Sequence, residues 1–188
     1  MTLRLLAFAG SLRRNSINRK LLHVAAGIAR AGEAEVDIAE FEECDAASFN
    51  ADVQESTGFP PGPEEFRRRV SPVDGLLLAS PEYNYSVPGP LKNLIDWVSR
   101  LRPVPLRGKS ALLLATSNGA IGGIRGLWQL RIPLEGLGVF VHPDMYTLPN
   151  GNQAFGPDGS LLDAQARERL ERIVGGYLRA ARALASGG

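Results

Sequence analysis

Short apolar runs alternate along the chain with longer stretches whose apolar residues recur at helical spacing. The runs predict five strands, over residues 3–9, 35–39, 76–79, 110–116 and 138–142. Several of these runs are apolar almost throughout, as in Leu76-Leu77-Leu78-Ala79. Such strands are typical of a parallel sheet that is covered on both faces.

The longer stretches predict helices over residues 17–31, 64–70, 89–100, 124–136 and 161–185. In the first of them, Leu21, Leu22, Ala25 and Ile28 fall on one face. Regular alternation of strands and helices predicts an α/β fold, a three-layer doubly wound sheet with right-handed crossovers. The short chain favours the flavodoxin-like arrangement, with five parallel strands in the order 2-1-3-4-5.

Two segments, residues 42–63 and 143–160, show neither an apolar run nor helical spacing and are predicted to be loops. Both are rich in Pro and Gly, as in Pro60-Pro61-Gly62-Pro63. Loops of this length in a compact domain are usually functional or mobile, although simple surface connections are an equal alternative.

The 188 residues predict one domain, 1–188, of ordinary globular composition. The net charge of +1 argues against a nucleic-acid or anionic-membrane partner, and no apolar run approaches the ~20 residues that span a bilayer. A single cysteine, Cys44, excludes an internal disulfide, and two distant histidines argue against zinc. We therefore expect a cytoplasmic protein without a metal.

The chemistry is expected in the loops after strands one, three and four, because open parallel sheets bind ligands at the carboxyl ends of their strands. The first loop, 10–19, offers the hydroxyls of Ser11 and Ser16, the Asn18 amide and the Arg13 guanidinium beside a helix N-terminus. These donors suit a phosphate monoester. A capped helix with solvated arginines is the alternative. The P-loop and G-x-G-x-x-G motifs are both absent from the sequence, which disfavours a triphosphate or a pyrophosphate.

The second loop, 80–90, is stiffened by prolines and carries Tyr83, Asn84 and Tyr85. Flat faces beside an amide suit a planar heteroaromatic ring, although loop aromatics can instead pack on the core or a subunit interface. The third loop, 116–123, contains three glycines that let a ring approach the backbone, or that form only a loose turn. A ligand with a phosphate at one end and a planar ring at the other, such as FMN, fits all three loops.

At these residues the chain resembles the NADPH-dependent FMN reductase family, which includes quinone, azo-dye and chromate reductases. The resemblance rests on three stretches, and the second is the most specific. They are Gly10-Ser11-Leu12-Arg13 with Ser16 and Asn18-Arg19, then Pro81-Glu82-Tyr83-Asn84 through Pro88-Gly89, Leu91-Lys92-Asn93, Ile95-Asp96-Trp97 and Ser99-Arg100, and last Gly122-Gly123 with Arg125.

The resemblance implies a flavodoxin-like FMN enzyme that takes hydride from NADPH or NADH onto flavin N5. It then reduces an acceptor such as a quinone, a free flavin, an azo compound or a metal oxyanion. It implies a homodimer or homotetramer, and we expect no catalytic acid or base because the cofactor carries the chemistry. The implied cofactor-binding residues are Ser11, Arg13, Ser16, Ile17, Asn18, Pro81, Glu82, Tyr83, Asn84, Tyr85, Ser117 and Gly119.

Two other functions stay open at this point. An electron-carrier flavodoxin would share the fold, but such carriers are strongly acidic and this chain is nearly neutral. A serine hydrolase is suggested by Ala115-Thr116-Ser117-Asn118-Gly119, a partial nucleophile elbow that is followed in order by Glu135 and His142. That pattern lacks its first glycine, and the sequence shows no oxyanion motif.

Overall fold

The computed structural model describes residues 2–187, so the two ends of the predicted domain, Met1 and Gly188, lie outside the described residues. Its six strands are β1 (Leu3–Ala9), β2 (Ala34–Ala39), β3 (Gly75–Ala79), β4 (Ser110–Thr116), β5 (Phe140–Val141) and β6 (Tyr146–Leu148). Its six α-helices are α1 (Ile17–Ala31), α2 (Ala51–Thr57), α3 (Pro61–Val70), α4 (Gly89–Val98), α5 (Ile124–Gly136) and α6 (Ala164–Ser186). Short 3-10 turns form at Phe41–Cys44 and Gly151–Gln153.

All strand pairs in the main sheet are parallel, and the order β2-β1-β3-β4-β5 confirms the flavodoxin-like prediction. The prediction of five strands was incomplete, because β6 also pairs with β4, from Leu114↔Tyr146 to Thr116↔Leu148. β5 pairs with the beginning of β4 and β6 with its end. Pro143 lies between them and has no N–H to donate to the ladder, which accounts for the interruption.

The sheet separates two apolar cores. Alternate residues of one strand point to opposite faces, so Leu6 and Phe8 pack with α3, α4 and α5 while Leu5 and Ala7 pack with α1 and α6. β3 and β4 are buried at every position, as their apolar sequences predict. Helices therefore cover both faces, and the carboxyl ends of β1, β3 and β4 emerge together at one edge.

The segment 42–63 is more regular than a loop. It contains the Phe41–Cys44 turn and α2, whose first turn is capped by Asn50 Oδ1 accepting from the Asp52 N–H at 2.9 Å. α3 begins at Pro61, three residues earlier than the predicted helix, since proline is well tolerated in the first turn. The Pro-rich sequence that indicated a loop instead marks the start of a helix.

The last helix begins at Ala164 rather than at 161, because the Asp163 carboxylate caps it by accepting from the Gln165 and Ala166 N–H groups. It runs for 23 residues and buries one apolar face that includes Leu170, Val174 and Leu178. Among the helices of residues 2–187, none combines the length and the apolar character that crossing a bilayer requires.

Candidate functional site

The three loops expected to carry the chemistry lie side by side at one edge of the sheet. The Gly10 N–H donates to the Ala79 carbonyl at 2.8 Å, which joins the first loop to the end of β3. The Ser80 N–H donates to the Leu114 carbonyl at 2.9 Å, which joins the second loop to β4. The predicted site residues are therefore brought together from segments that are distant in sequence.

The first loop places two serine hydroxyls beside a helix N-terminus. The Ser11 hydroxyl oxygen accepts from the Arg13 N–H at 3.3 Å. Ser16 occupies the N-cap position of α1 in extended conformation, but its hydroxyl makes no capping hydrogen bond. The first N–H groups of a helix have no acceptor inside the helix, so those of α1 are available to a ligand. Ser11 and Ser16 are buried and Arg13 is exposed. Uncommitted donors at a helix N-terminus are what a phosphate group requires.

Ile17 and Asn18 are the first two residues of α1, and their side chains contact other segments of the protein. The Ile17 side chain lies against Gly151, where an added Cβ would come within 2.7 Å of its Cδ1. The Asn18 side chain is 2% exposed and hydrogen-bonds the backbone of Thr116, at the end of β4. Sequence reasoning placed both residues in the site but did not indicate these contacts.

The second loop forms a tight hairpin at its tip. Tyr83 and Ser86 exchange two backbone hydrogen bonds of 3.1 and 3.0 Å. Between them, Asn84 (φ 48°) and Tyr85 (φ 67°) are both left-handed, which defines a type I′ turn. The side chains of Tyr83 and Tyr85 are 52% and 66% exposed. The turn thus presents two aromatic rings and an amide at the edge of the sheet.

Glu82 connects the second loop to α5. Its carboxylate accepts from the N–H groups of Arg125 (3.1 Å) and Gly126 (3.2 Å) and from Arg125 Nε (2.7 Å). Burial raises the pKa of this carboxyl, but the hydrogen bonds and charge of Arg125 and the N–H of Gly126 outweigh burial and leave the pKa lowered. Glu82 is therefore ionised and serves as the missing cap of α5, whose N-cap residue, Gly123, has no side chain.

The Arg125 guanidinium also stacks on Tyr85, with 4.0 Å between its Cζ and the ring centroid. Glu82, Arg125 and Tyr85 thus form one connected group that fixes the loop tip against α5. The sequence placed Arg125 in the third stretch of the family resemblance but did not indicate its pairing with Glu82. The available signal for the pairing was a helix that begins after two glycines and so needs an acceptor from elsewhere.

The third loop begins at Ser117 and is held by the segment after β6. The Ser117 carbonyl accepts from the Gly151 N–H at 2.9 Å, and Asn118 Oδ1 accepts from the Asn152 N–H at 3.1 Å. Gly119 is exposed, and an added Cβ would meet nothing nearer than Ser117 Oγ at 3.7 Å. The loop is therefore open at Gly119, whereas an added Cβ at Gly122 or Gly123 would meet Leu148 or Ala115 of the protein itself.

The arrangement excludes the serine hydrolase. His142 pairs with Ala111 near the start of β4, whereas Ser117 follows the end of that strand, roughly 20 Å away at the usual rise per residue. The His142 ring instead packs on Tyr177, and Glu135 pairs with Arg131. Over residues 2–187, no three His, Cys, Asp or Glu side chains come together as a set of metal ligands.

Comparisons with known proteins agree with this geometry. The family model of the NADPH-dependent FMN reductases matches residues 3–153. The chain is 38% identical to an NAD(P)H-dependent FMN reductase of Pseudomonas aeruginosa, over 90% of each protein. It is 40% identical to a quinone reductase of Escherichia coli K12, over 69% of this chain and 68% of the relative. The solved structure of FerB, a flavoenzyme NAD(P)H:(acceptor) oxidoreductase of Paracoccus denitrificans, superposes with a TM-score of 0.81 at 26% identity, covering 96% of this chain and 98% of FerB.

Proposed function

Since this chain belongs to the NADPH-dependent FMN reductase family, we propose that it is an NAD(P)H-dependent quinone reductase whose FMN lies across the three loops. When bound, FMN takes hydride from NAD(P)H and passes reducing equivalents to the acceptor. The observation that carries the proposal is the convergence of uncommitted phosphate donors and a rigid aromatic hairpin at one sheet edge.

The first loop is proposed to hold the phosphate. Ser11 and Ser16 supply hydroxyls, the Arg13 side chain supplies charge, and the N–H groups of Ile17 and Asn18 point along the helix axis toward the anion. The fit is supported by Ser16, a buried residue whose hydroxyl caps no N–H of α1.

The second and third loops are proposed to hold the ring. The ring-binding residues are Pro81, Glu82, Tyr83, Asn84, Tyr85, Ser117 and Gly119. The type I′ turn fixes the backbone around Asn84, so the direction of its backbone N–H is set before a ligand binds. Glu82 keeps Arg125 beside the hairpin, where its charge favours an electron-rich group.

The acceptor is proposed to be a quinone. The exposed rings of Tyr83 and Tyr85 leave an open, flat surface next to the loop, which suits a planar substrate of similar size. One of the relatives reported above is named a quinone reductase, and the name of FerB leaves its acceptor unspecified. Free flavins, azo compounds and metal oxyanions are the other acceptors to be compared in the test.

The test measures FMN binding and NADPH oxidation by the purified protein, with a benzoquinone as acceptor and no partner protein. The variant Tyr85→Ala is expected to weaken FMN binding about tenfold through loss of the ring contact and of the Arg125 stack. Phe140→Ala is the matched control, because Phe140 is also an exposed aromatic (55%) but pairs at the opposite end of β4.

Unchanged FMN binding in Tyr85→Ala would remove the hairpin from the site. A protein that binds FMN but oxidises NADPH only with an added redox partner would be an electron carrier. A protein that reduces azo dyes or chromate faster than the benzoquinone would keep the reductase and overturn the proposed acceptor.

We also infer that the chain acts as one domain and assembles with itself. Both cores share one sheet, which supports a single unit over residues 1–188. Ile121, Trp128 and Ile132 expose 44%, 55% and 64% of their surface on or beside α5, which supports a second copy packing there as a homodimer or homotetramer. Sedimentation of the wild type and Trp128→Glu checks the assembly, and cell fractionation checks the predicted cytoplasmic location.

A further inference from the structure

Asn18 uses both ends of its side-chain amide inside the protein. Its Nδ2 donates to the Thr116 carbonyl at 3.0 Å, and its Oδ1 accepts from the Thr116 N–H at 2.9 Å. Asn18 and Thr116 are 2% and 1% exposed, so water does not replace these bonds. The side chain pairs with the last residue of β4 as a neighbouring strand would.

Thr116 is also held from its other side, by the last residue of β6. Thr116 Oγ1 donates to the Leu148 carbonyl at 2.8 Å, and the Ser117 N–H donates to that carbonyl at 3.3 Å. The end of β4 is therefore fixed from two directions, by α1 and by β6. The third loop starts at the next residue, so its direction depends on both contacts.

Asn18 also stands next to the proposed phosphate donors. It is the second residue of α1, and Ser16, whose hydroxyl is uncommitted, precedes the helix. The two side chains differ, because the Ser16 hydroxyl makes no capping bond to α1 whereas the Asn18 carbonyl oxygen and one N–H are already paired. The Asn18 side chain links the first loop to the third.

We infer that Asn18 is a positioning residue, which fixes the separation between the phosphate loop and the ring-binding third loop rather than selecting the phosphate. This inference rests on the proposed FMN site. It predicts that loss of the Asn18 amide weakens binding of the whole flavin, with or without its phosphate.

The experiment compares dissociation constants for FMN and for riboflavin, which lacks the phosphate, by quenching of flavin fluorescence. Asn18→Ala is expected to weaken both flavins by a similar factor, about tenfold, because the loops lose their fixed spacing. Ser16→Ala is expected to weaken FMN and leave riboflavin unchanged. The ratio of the two constants therefore separates positioning from phosphate binding.

A matched control is available at the other end of the same strand. Ser110→Ala removes the buried Ser110–Tyr177 hydroxyl contact (3.1 Å) and lowers stability without touching the loops, so both affinities should stay at wild-type values. If Asn18→Ala fails to fold, Asn18→Ser, which retains a hydroxyl donor and acceptor, is measured in the same way.

An Asn18 variant that weakens FMN alone would overturn the inference and make Asn18 a phosphate ligand. Equal affinity of the variant and the wild type for both flavins would also overturn it. Failure of the wild type to bind either flavin would instead refute the proposed function on which the inference rests.

Discussion

Neutralising Glu82 tests how the second loop is joined to α5. Glu82→Gln keeps the shape of the side chain but replaces one carboxylate oxygen with an NH2 group. That NH2 group cannot accept from the N–H groups that face it. The wild-type carboxylate accepts from the N–H groups of Arg125 and Gly126 and from the Arg125 guanidinium. The substitution therefore removes a helix cap and an ion pair in one step.

The expected loss follows from the burial of each partner. Losing a cap on two backbone N–H groups costs about 1 kcal/mol. The ion pair adds about 1 kcal/mol, because the Glu82 side chain is only 8% exposed while water screens Arg125, which is 41% exposed. Unfolding free energy should therefore fall by about 2 kcal/mol, or about 4–8 °C in Tm for a chain of this length.

Urea unfolding of the flavin-free protein at neutral pH measures this loss. Glu171→Gln is the matched control, because Glu171 pairs with Arg167 at 2.9 Å on an exposed face of α6 and should cost less than about 0.5 kcal/mol. A Glu82→Gln protein that unfolds within about 0.5 kcal/mol of the wild type would refute the capping role.

The same variant has a pH dependence of known sign. The pKa of Glu82 is lowered in the folded protein, because the hydrogen bonds and charge of Arg125 outweigh burial. The ionised carboxylate therefore adds to the unfolding free energy at pH values above the ordinary carboxyl range. That contribution is lost as the pH falls below this range. The difference in unfolding free energy between wild type and Glu82→Gln should therefore narrow as the pH falls through and below the ordinary carboxyl range of about 4 to 5. A constant gap would contradict the assignment.

Two further predictions concern groups away from the site. Burial raises the pKa of the Cys44 thiol to about 12, with Glu43 and Glu65 adding to the rise and Arg69 opposing it. A thiol reagent at pH 8 should leave the native protein unmodified and react in urea; fast native labelling would contradict this. Burial, reinforced by Arg131 and opposed by Asp144, lowers the pKa of His142, whose Nε2 has no hydrogen-bond partner among the described residues. The neutral form is favoured on folding, so stability is lost as the pH falls from about 7 to about 5. His142→Phe retains a ring against Tyr177, so its unfolding free energy, measured by urea titration, should fall less over that pH range than that of the wild type. An equal fall in both proteins would show that His142 is not the titrating group.

The sequence predicts the fold well where one physical pattern acts alone. The bounds of β1, β4, α1 and α5 match their predicted ranges. Each strand is a near-continuous apolar run, and each helix is a long stretch with helical spacing. β6 was not predicted because its three residues, followed at once by Pro149, are too few to show a period. Its existence depends on the free edge of β4, which only the folded sheet supplies.

The candidate site was predicted as a set of loops but not as a set of contacts. Strand order alone places the loops of Ser16, Asn84 and Ser117 at one edge. Which groups stay free depends on partners far along the chain. Asn18 meets Thr116 from 98 positions away, and Glu82 meets Arg125 from 43. No local pattern specifies such pairs.

The corner at Asn84 and Tyr85 has a consequence for how quickly a ligand is accepted. Two successive residues already occupy a backbone region that an unconstrained chain seldom visits, and a pair of hydrogen bonds closes the corner around them. The entropy of ordering this segment is spent when the protein folds, before any encounter with a ligand. The proposed binding of a flavin ring would therefore need no rearrangement of this turn, and its rate would depend on diffusion and on the fit of the ring.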